Sequence, residues 1–351
     1  MKRFAIITGI FSGFLFGVAT PFSKLLLAGL NPFELAGLLY LGAAMAMLPY
    51  IFRKTSQLKL LFRQGNRTKT FGIIFFGGFL GPLLLLAGLK TANAASVSIW
   101  LNLELVATAV LGVFIFKDHL DRNTWVGVGL TVMAGIVTSL GEGSGGIISA
   151  LLITAACISW AVDNHLTALT DGSSPQSVTF LKGIVAGSVN LLIGSLIASE
   201  PMKLGNVGSA LLVGMFSYGI SIVLYITSAQ NLGATRGQIL FSTSPFWGVF
   251  LSYLFYHESF QWVHILSIGL LALAVFVTYV LSHKHLHTHN AMEHLHYHQH
   301  TDGHHDHTHD AETITEGIWH SHHHAHNPLA HEHPHYPDLH HRHGHEESKK
   351  K

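Results

Sequence analysis

Ten stretches of mainly apolar residues follow one another between residues 4 and 282, at about 4–27, 33–52, 71–89, 94–116, 124–140, 147–168, 176–198, 207–229, 236–256 and 262–282. Roughly twenty such residues cross about 30 Å of hydrocarbon as a helix. Inside a bilayer the backbone must satisfy its own hydrogen bonds, so a chain of such runs has one outlet, a bundle of membrane helices. The joins are short, and successive spans must therefore run antiparallel. The fold class expected is all-α: a polytopic membrane protein with ten transmembrane helices. Composition agrees, since charged residues make up 11% of the chain and mean hydropathy is +0.39, against about 25% charged in soluble domains. The start, MKRFAIITGIF, has the basic head and apolar run of a signal peptide, but no small-residue cleavage site follows and the apolar run continues past Leu27. It is read as an uncleaved first span.

The ten spans fall into two similar halves. Residues 87–118 run from a small-residue junction (Ala92–Ser96) through an apolar stretch to Asp118. Residues 228–258 do the same from Gly233-Ala234-Thr235 to Glu258. Glu104 to Asp118 and Ser244 to Glu258 are both fourteen residues apart. Asn31-Pro32 opens one apolar run and Ser174-Pro175 another, while Trp125 and Trp262 open the last span of each half. The domains expected are 1–142, 147–282 and a separate tail, 283–351. Five spans per half is an odd number, so the second half sits inverted relative to the first. Inverted repeats are common in secondary transporters, with the substrate near the midplane between the halves.

Orientation follows from basic residues at the span ends. The 53–69 join holds Arg53, Lys54, Lys59, Arg63, Arg67 and Lys69; Lys2 and Arg3 precede span one, and Lys117 and Arg122 follow span four. The opposite joins carry little beyond Lys24, Lys90 and Lys203. Both termini are therefore expected in the cytoplasm. Net charge is +1, which gives no sign of nucleic-acid binding. The single cysteine, Cys157, allows no internal disulfide and reads as a buried structural thiol. Nothing resembles a nucleophile constellation, a phosphate-binding loop or a redox motif, so an enzyme is not expected.

The runs LFGVATPFSK, NPFELAGLLYLGAA, LVATAVLGVFIF closing on Asp118, and WVGVGLTVMAGIV resemble the drug/metabolite transporter superfamily. With SWAVDNHLTALT, SSPQSVTFLKG, LGATRGQILFSTSPFWGVFLSYLFYHE and WVHILSIGLLALAV, the chain is similar to EamA-type permeases over about 1–282. The resemblance implies a carrier of the inner or plasma membrane working by alternating access, often an exporter. Three positions depart from the family pattern. Asp118 stands where a Glu is usual, Leu39 replaces the basic residue that Lys182 keeps, and His264 replaces the glycine that Gly127 keeps. The polar chemistry is therefore expected mainly in the second half.

A charge at mid-bilayer costs about 2.5–3.5 kcal/mol on insertion scales, so each needs a reason. The substrate or coupling candidates are Glu104, Asp163, Asn164, Lys182 and Arg236. Glu104 lies near mid-depth of span four with no basic residue on its own helix. A carboxyl there can cycle between protonated and ionised forms, which suits proton coupling or a cationic substrate; the bland alternative is a hydrogen-bonded strut, through Asn102. Asp163 and Lys182 lie near one leaflet on spans joined by a short turn and are placed to pair, either as structure or as a pair that a substrate opens. Arg236, at a span end, reads best as snorkelling to the interface. Trp100, Trp160 and Tyr218 read as packing.

From His283 the chain changes character: 24 of its 28 histidines fall in the last 69 residues. The metal-ligand candidates are His283, His285, His287, His289, His294, His296, His298, His300, His304, His305, His307 and His309. With prolines at 328, 334 and 337 and few apolar residues, the tail is expected to be disordered without ligand. Neutral imidazole binds Zn²⁺, Ni²⁺, Co²⁺ and Cu²⁺, so metal capacity is expected without any cofactor being required. The tail reads three ways: delivery or sensing of a metal that the spans carry, buffering beside a carrier of small metabolites or amino acids, or pH sensing. A reading of another class is a membrane-anchored metal buffer that transports nothing. The partners expected are the bilayer, a small-molecule or ion substrate, divalent metal ions at the tail and, as an option, a second copy of the chain.

Overall fold

The computed structural model describes residues 2–116, 122–141, 143–170, 174–232, 240–241, 243–256 and 261–279, with the backbone of 284–289, 292–298, 320–326 and 329–334. The membrane portion is helical. Among the described residues seven helices are long and apolar enough to cross a bilayer, and three shorter apolar helices, Trp125–Gly141, Ser244–Phe255 and Trp262–Val277, stand at the places of the remaining expected spans. We number the spans one to ten: Lys2–Leu26; Pro32–Arg53; 67–91; 94–116; Arg122–Gly141; Gly143–Ala168; Pro175–Ile197; 204–232; Ser244–Tyr256, preceded by Leu240 and Phe241; and Trp262–Tyr279. A short helix, Ser56–Leu61, lies in the basic join.

Spans two and seven begin alike because their sequences do. Asn31 accepts from the Glu34 N–H at 2.9 Å, and the Glu34 carboxylate accepts from the Asn31 N–H at 2.9 Å, a complete capping box. The Ser174 hydroxyl accepts from the Ser177 N–H. Each cap is followed by proline in the first turn, where no N–H is missed. Asn31 also donates to the Gly194 carbonyl at 3.1 Å, tying the start of span two to the end of span seven.

Three spans are less regular than their apolar patterns predict. Span four is two helices, Ala94–Trp100 and Leu103–Phe116, with a turn at Leu101 and Asn102. The Asn102 amide donates back to the Ile99 carbonyl at 3.2 Å, competing with the backbone for an oxygen that a helix would use. Spans three and eight each widen into a π-helical segment, Ile73–Leu80 and Gly214–Ile220. The two segments start 141 residues apart, at corresponding places in the halves.

The packing repeats under exchange of the halves. Span two lies on span seven, span four on span nine, and span five on span ten. Span one packs on spans eight and nine, as span six packs on spans three and four. Small residues allow the close crossings. A β-carbon on Gly17 would stand 2.5 Å from the Ser244 carbonyl, and one on Gly214 would overlap the Leu39 carbonyl. The histidine-rich segment runs as two short antiparallel ladders, Lys284–His289 with Leu329–Pro334 and Met292–His298 with His320–His326. Alternating histidines have the two-residue period of a strand.

The crossings set a prediction. Gly214→Ala drives a methyl into the backbone of span two and lowers the thermal midpoint in detergent. Gly208→Ala meets nothing within 4 Å and raises helix stability by about 0.5–1 kcal/mol. Equal midpoints for the two variants would contradict the close crossing.

Candidate functional site

Four polar side chains converge from spans four, six and seven. Asp163 and Lys182 form an ion pair, Nζ to Oδ2 at 2.6 Å, with side chains only 6% and 14% exposed. The Thr167 hydroxyl donates to the other carboxylate oxygen of Asp163 at 3.3 Å. One residue along the same helix, the Asn164 amide donates to Glu104 Oε1 at 2.8 Å. Adjacent residues on a helix point about 100° apart, so span six reaches span seven with one side chain and span four with the next. Glu104 itself stands in the first turn of the second helix of span four, just past the break. Its carboxylate interacts electrostatically with both Asp163 and Lys182.

The π-helical segment of span three forms the floor of this cluster. Gly77 leaves the space that the Asp163 carboxylate fills, and a β-carbon on Gly78 would stand 2.9 Å from Lys182 Cγ. The carbonyls that the wide turn turns outward are met by side chains of three other spans. Ser159 donates to Phe76 at 2.9 Å, Trp160 Nε1 to Gly77 at 3.2 Å, the Tyr40 hydroxyl to Gly77 at 2.5 Å, and Asn190 to Gly78 at 3.1 Å. Buried polar groups in hydrocarbon demand such partners. The result is a recess for an ion pair inside an apolar span.

The sequence-predicted residues sort as follows. Glu104, Asp163, Asn164 and Lys182 lie together. The partner of Glu104 is Asn164 from span six; Asn102 instead turns to its own backbone. Arg236 lies outside the described residues, as do Asp118 and Glu258. Of the tail candidates, His285, His287, His289, His294, His296 and His298 lie in the strands, and His283, His300, His304, His305, His307 and His309 lie outside the described residues. Among the described residues no three His, Cys, Asp or Glu gather as a metal centre. Trp100 is a core residue, buried and donating to the Gly135 carbonyl at 3.1 Å, and Cys157 is buried beside it. Tyr40, Gly77 and Gly78 were not singled out from sequence. For Gly77 and Gly78, the two adjacent glycines inside an apolar span, FFGGF, are the signal that could have found them, since glycine there marks a close approach to the backbone.

The ion pair makes a direct prediction. Removing one partner, as in Lys182→Ala or Asp163→Ala, leaves a buried charge and costs about 3–5 kcal/mol. The double replacement Asp163→Asn with Lys182→Met recovers much of that loss. Thermal unfolding of the three variants in one detergent checks the order; a double variant as unstable as the sum of the singles would contradict pairing.

Comparison with known proteins places the chain. The profile of the EamA-like transporter family matches residues 3–140 and again 147–280. An uncharacterized transporter of Methanothermobacter thermautotrophicus is 25% identical over 288 residues, covering 75% of this chain and 82% of the relative. The uncharacterized transporter YyaM of Bacillus subtilis is 23% identical over 219 residues, covering 58% of this chain and 70% of the relative. A solved crystal structure superposes with a TM-score of 0.59 at 16% identity, over 79% of this chain and 96% of that one; it speaks for the fold alone.

Proposed function

The chain belongs to the EamA-like transporter family and is a multi-pass membrane transporter; on that premise we propose a secondary-active exporter of the cell (inner) membrane, both termini cytoplasmic, working by alternating access. Its working residues are Glu104, Asn164, Asp163 and Lys182. The observation that carries this reading is the charge balance at the break in span four. Lys182 is matched by Asp163 at 2.6 Å, whereas the Glu104 carboxylate is held by the neutral amide of Asn164 at 2.8 Å. With every group ionised the cluster carries one surplus negative charge. In a low-dielectric interior that surplus is costly, and a proton or a cationic substrate removes it. A carboxyl that takes either, but not both, couples the two. Span six bears Asp163 and Asn164 side by side, so a change at Glu104 is felt at Lys182 through one rigid helix. That supports the two-sided rearrangement alternating access requires.

The tail belongs to the same reading as a cytoplasmic metal binder. Its histidines take Zn²⁺, Ni²⁺, Co²⁺ or Cu²⁺, several ions per chain. The Glu104 carboxylate is held by the neutral amide of Asn164, a neighbour that transition-metal ions do not favour, which supports the reading in which the tail buffers or senses metal beside a carrier of something else.

Flux in proteoliposomes tests both halves of the proposal. Wild type, Glu104→Gln and a chain ending at Ser282 are compared for proton movement and for Ni²⁺, Co²⁺ and Zn²⁺ uptake. We expect proton-linked transport to survive removal of the tail and to be lost in Glu104→Gln, while tight metal binding disappears with the tail. If none of the three forms moves protons or cations while the full chain still binds metal, the non-transporting buffer is the correct reading.

A further inference from the structure

In the tail, histidine stands opposite histidine. Lys284–His289 runs antiparallel to Leu329–Pro334, with His285 opposite His333 and His287 opposite His331. Met292–His298 runs antiparallel to His320–His326, with His294 opposite His324, His296 opposite His322 and His298 opposite His320. Residues directly opposite share a face of a ladder, and so do residues two apart along a strand. The three pairs of the longer ladder therefore lie on one of its faces, and the two pairs of the shorter ladder on one of its own. The register is specific. Moved one residue in either direction, it would leave only His323 opposite a histidine, and the others would stand opposite residues such as Ser321, Ala325 and Glu332.

Hydrophobic pairing does not explain that register. The large apolar residues of the strands are Leu286, Met292, Leu295, Tyr297 and Leu329, and none of them stands opposite another. A two-stranded ladder is marginal in water unless something further holds it, and protonated imidazoles directly opposite one another would repel. What the opposed residues share is a ring nitrogen that binds metal. Opposite residues have β-carbons about 4.5–5.5 Å apart. Imidazole nitrogen binds Zn²⁺ at about 2.0–2.1 Å, so two rings rooted at that separation can close on one ion. Imidazole suits Zn²⁺, Cu²⁺ and Ni²⁺ alike. A metal bond made across two strands is at the same time folding energy for the pair.

We propose that each opposed histidine pair is a two-imidazole clip for one first-row divalent ion, and that the bound ions fasten the outgoing strands of the tail to the returning ones. This rests on the metal-binding tail of the reading above and names its ligand pairs. One imidazole comes from each strand, water completes the coordination, and histidines two apart on one strand serve successive ions. The returning strands, with His320, His322, His324, His331 and His333, are then ligands of equal rank with the outgoing ones. His289 and His323, each opposite a leucine, stand outside the clips. The tail closes when metal is bound and parts when it is removed, so its fold reports the metal.

Nitroxide labels on Tyr297→Cys and Ser321→Cys, which stand opposite each other outside the clips, test this in the full-length protein; Cys157, the single native cysteine, is buried. We expect Zn²⁺, which is diamagnetic, to produce strong dipolar broadening between the labels, and EDTA to reverse it. Replacing His294, His296 and His298 by Gln should abolish the response although the other strand keeps all its histidines, while His289→Gln with His323→Gln leaves it nearly unchanged. Titration calorimetry with Zn²⁺ gives a second reading. Loss of His294, His296 and His298, or of His320, His322 and His324, should remove the same three ions, one per pair, and loss of all six no more. Broadening that is the same with and without Zn²⁺, or ion losses that add between the strands, would overturn the proposal. If Zn²⁺ binds and the labels stay apart, the cross-strand clips are wrong and the metal-binding tail stands. If the full chain binds no more Zn²⁺ than a chain ending at Ser282, the metal-binding tail falls with them.

Discussion

A hydrocarbon interior offers no water, so each backbone carbonyl released from a helix must be met by a side chain. That constraint organises this protein. In the wide turn of span three the Gly81 N–H still reaches the Phe76 carbonyl, and Tyr40, Ser159, Trp160 and Asn190 meet the carbonyls of Phe76, Gly77 and Gly78 from spans two, six and seven. Those donors pull three helices onto one short segment. Where they converge, Gly77 leaves room for the Asp163 carboxylate and Gly78 for the methylene stem of Lys182. The site is therefore a by-product of backbone satisfaction: the same hydrogen bonds that let span three deviate from a regular helix also fix the walls around Asp163 and Lys182. π-helical turns of this kind are frequent at functional sites, and here the reason is visible in the atoms.

The two halves use the same plan with different contents. In span three the wide segment carries Gly77 and receives a charged pair. In span eight the position 141 residues on is Tyr218, whose ring packs on Phe16 and Tyr40. Asp163 and Lys182, both of the second half, seat against the wide segment of the first half, and Glu104, at the break in span four, is held beside them by Asn164. A repeat whose halves have diverged in this way yields an asymmetric site inside a symmetric frame.

Much of this was legible in the residues. Apolar run lengths predicted the all-helical membrane fold, and the matched Asn31-Pro32 and Ser174-Pro175 pairs became two caps of the same design. The spacing across the short turn between spans six and seven placed Asp163 within reach of Lys182. The break in span four was not legible, because Asn102 differs from any other polar residue in a span only once its side chain is seen to return to Ile99. Nor was the Asn164 partner of Glu104, since a contact across sixty positions leaves no periodic trace. The two π-helical segments escaped for a related reason: a hydropathy pattern of period near 3.6 does not register one wider turn. Arg236 and much of the histidine tail lie outside the described residues, and their roles rest on the sequence reading.

The central claim is that Glu104 is a working, titrating carboxyl and not a permanently protonated strut. Infrared difference spectroscopy of the protein in liposomes, recorded against pH, reads this group directly through the C=O stretch of a protonated carboxyl. A band that is present at acid pH, disappears reversibly on raising the pH, and is missing from Glu104→Gln is the predicted result. A Glu104 band that persists unchanged over the whole range in which the protein stays folded would mean that the carboxyl never ionises, and the exchange of proton for cargo at this site would have to be abandoned.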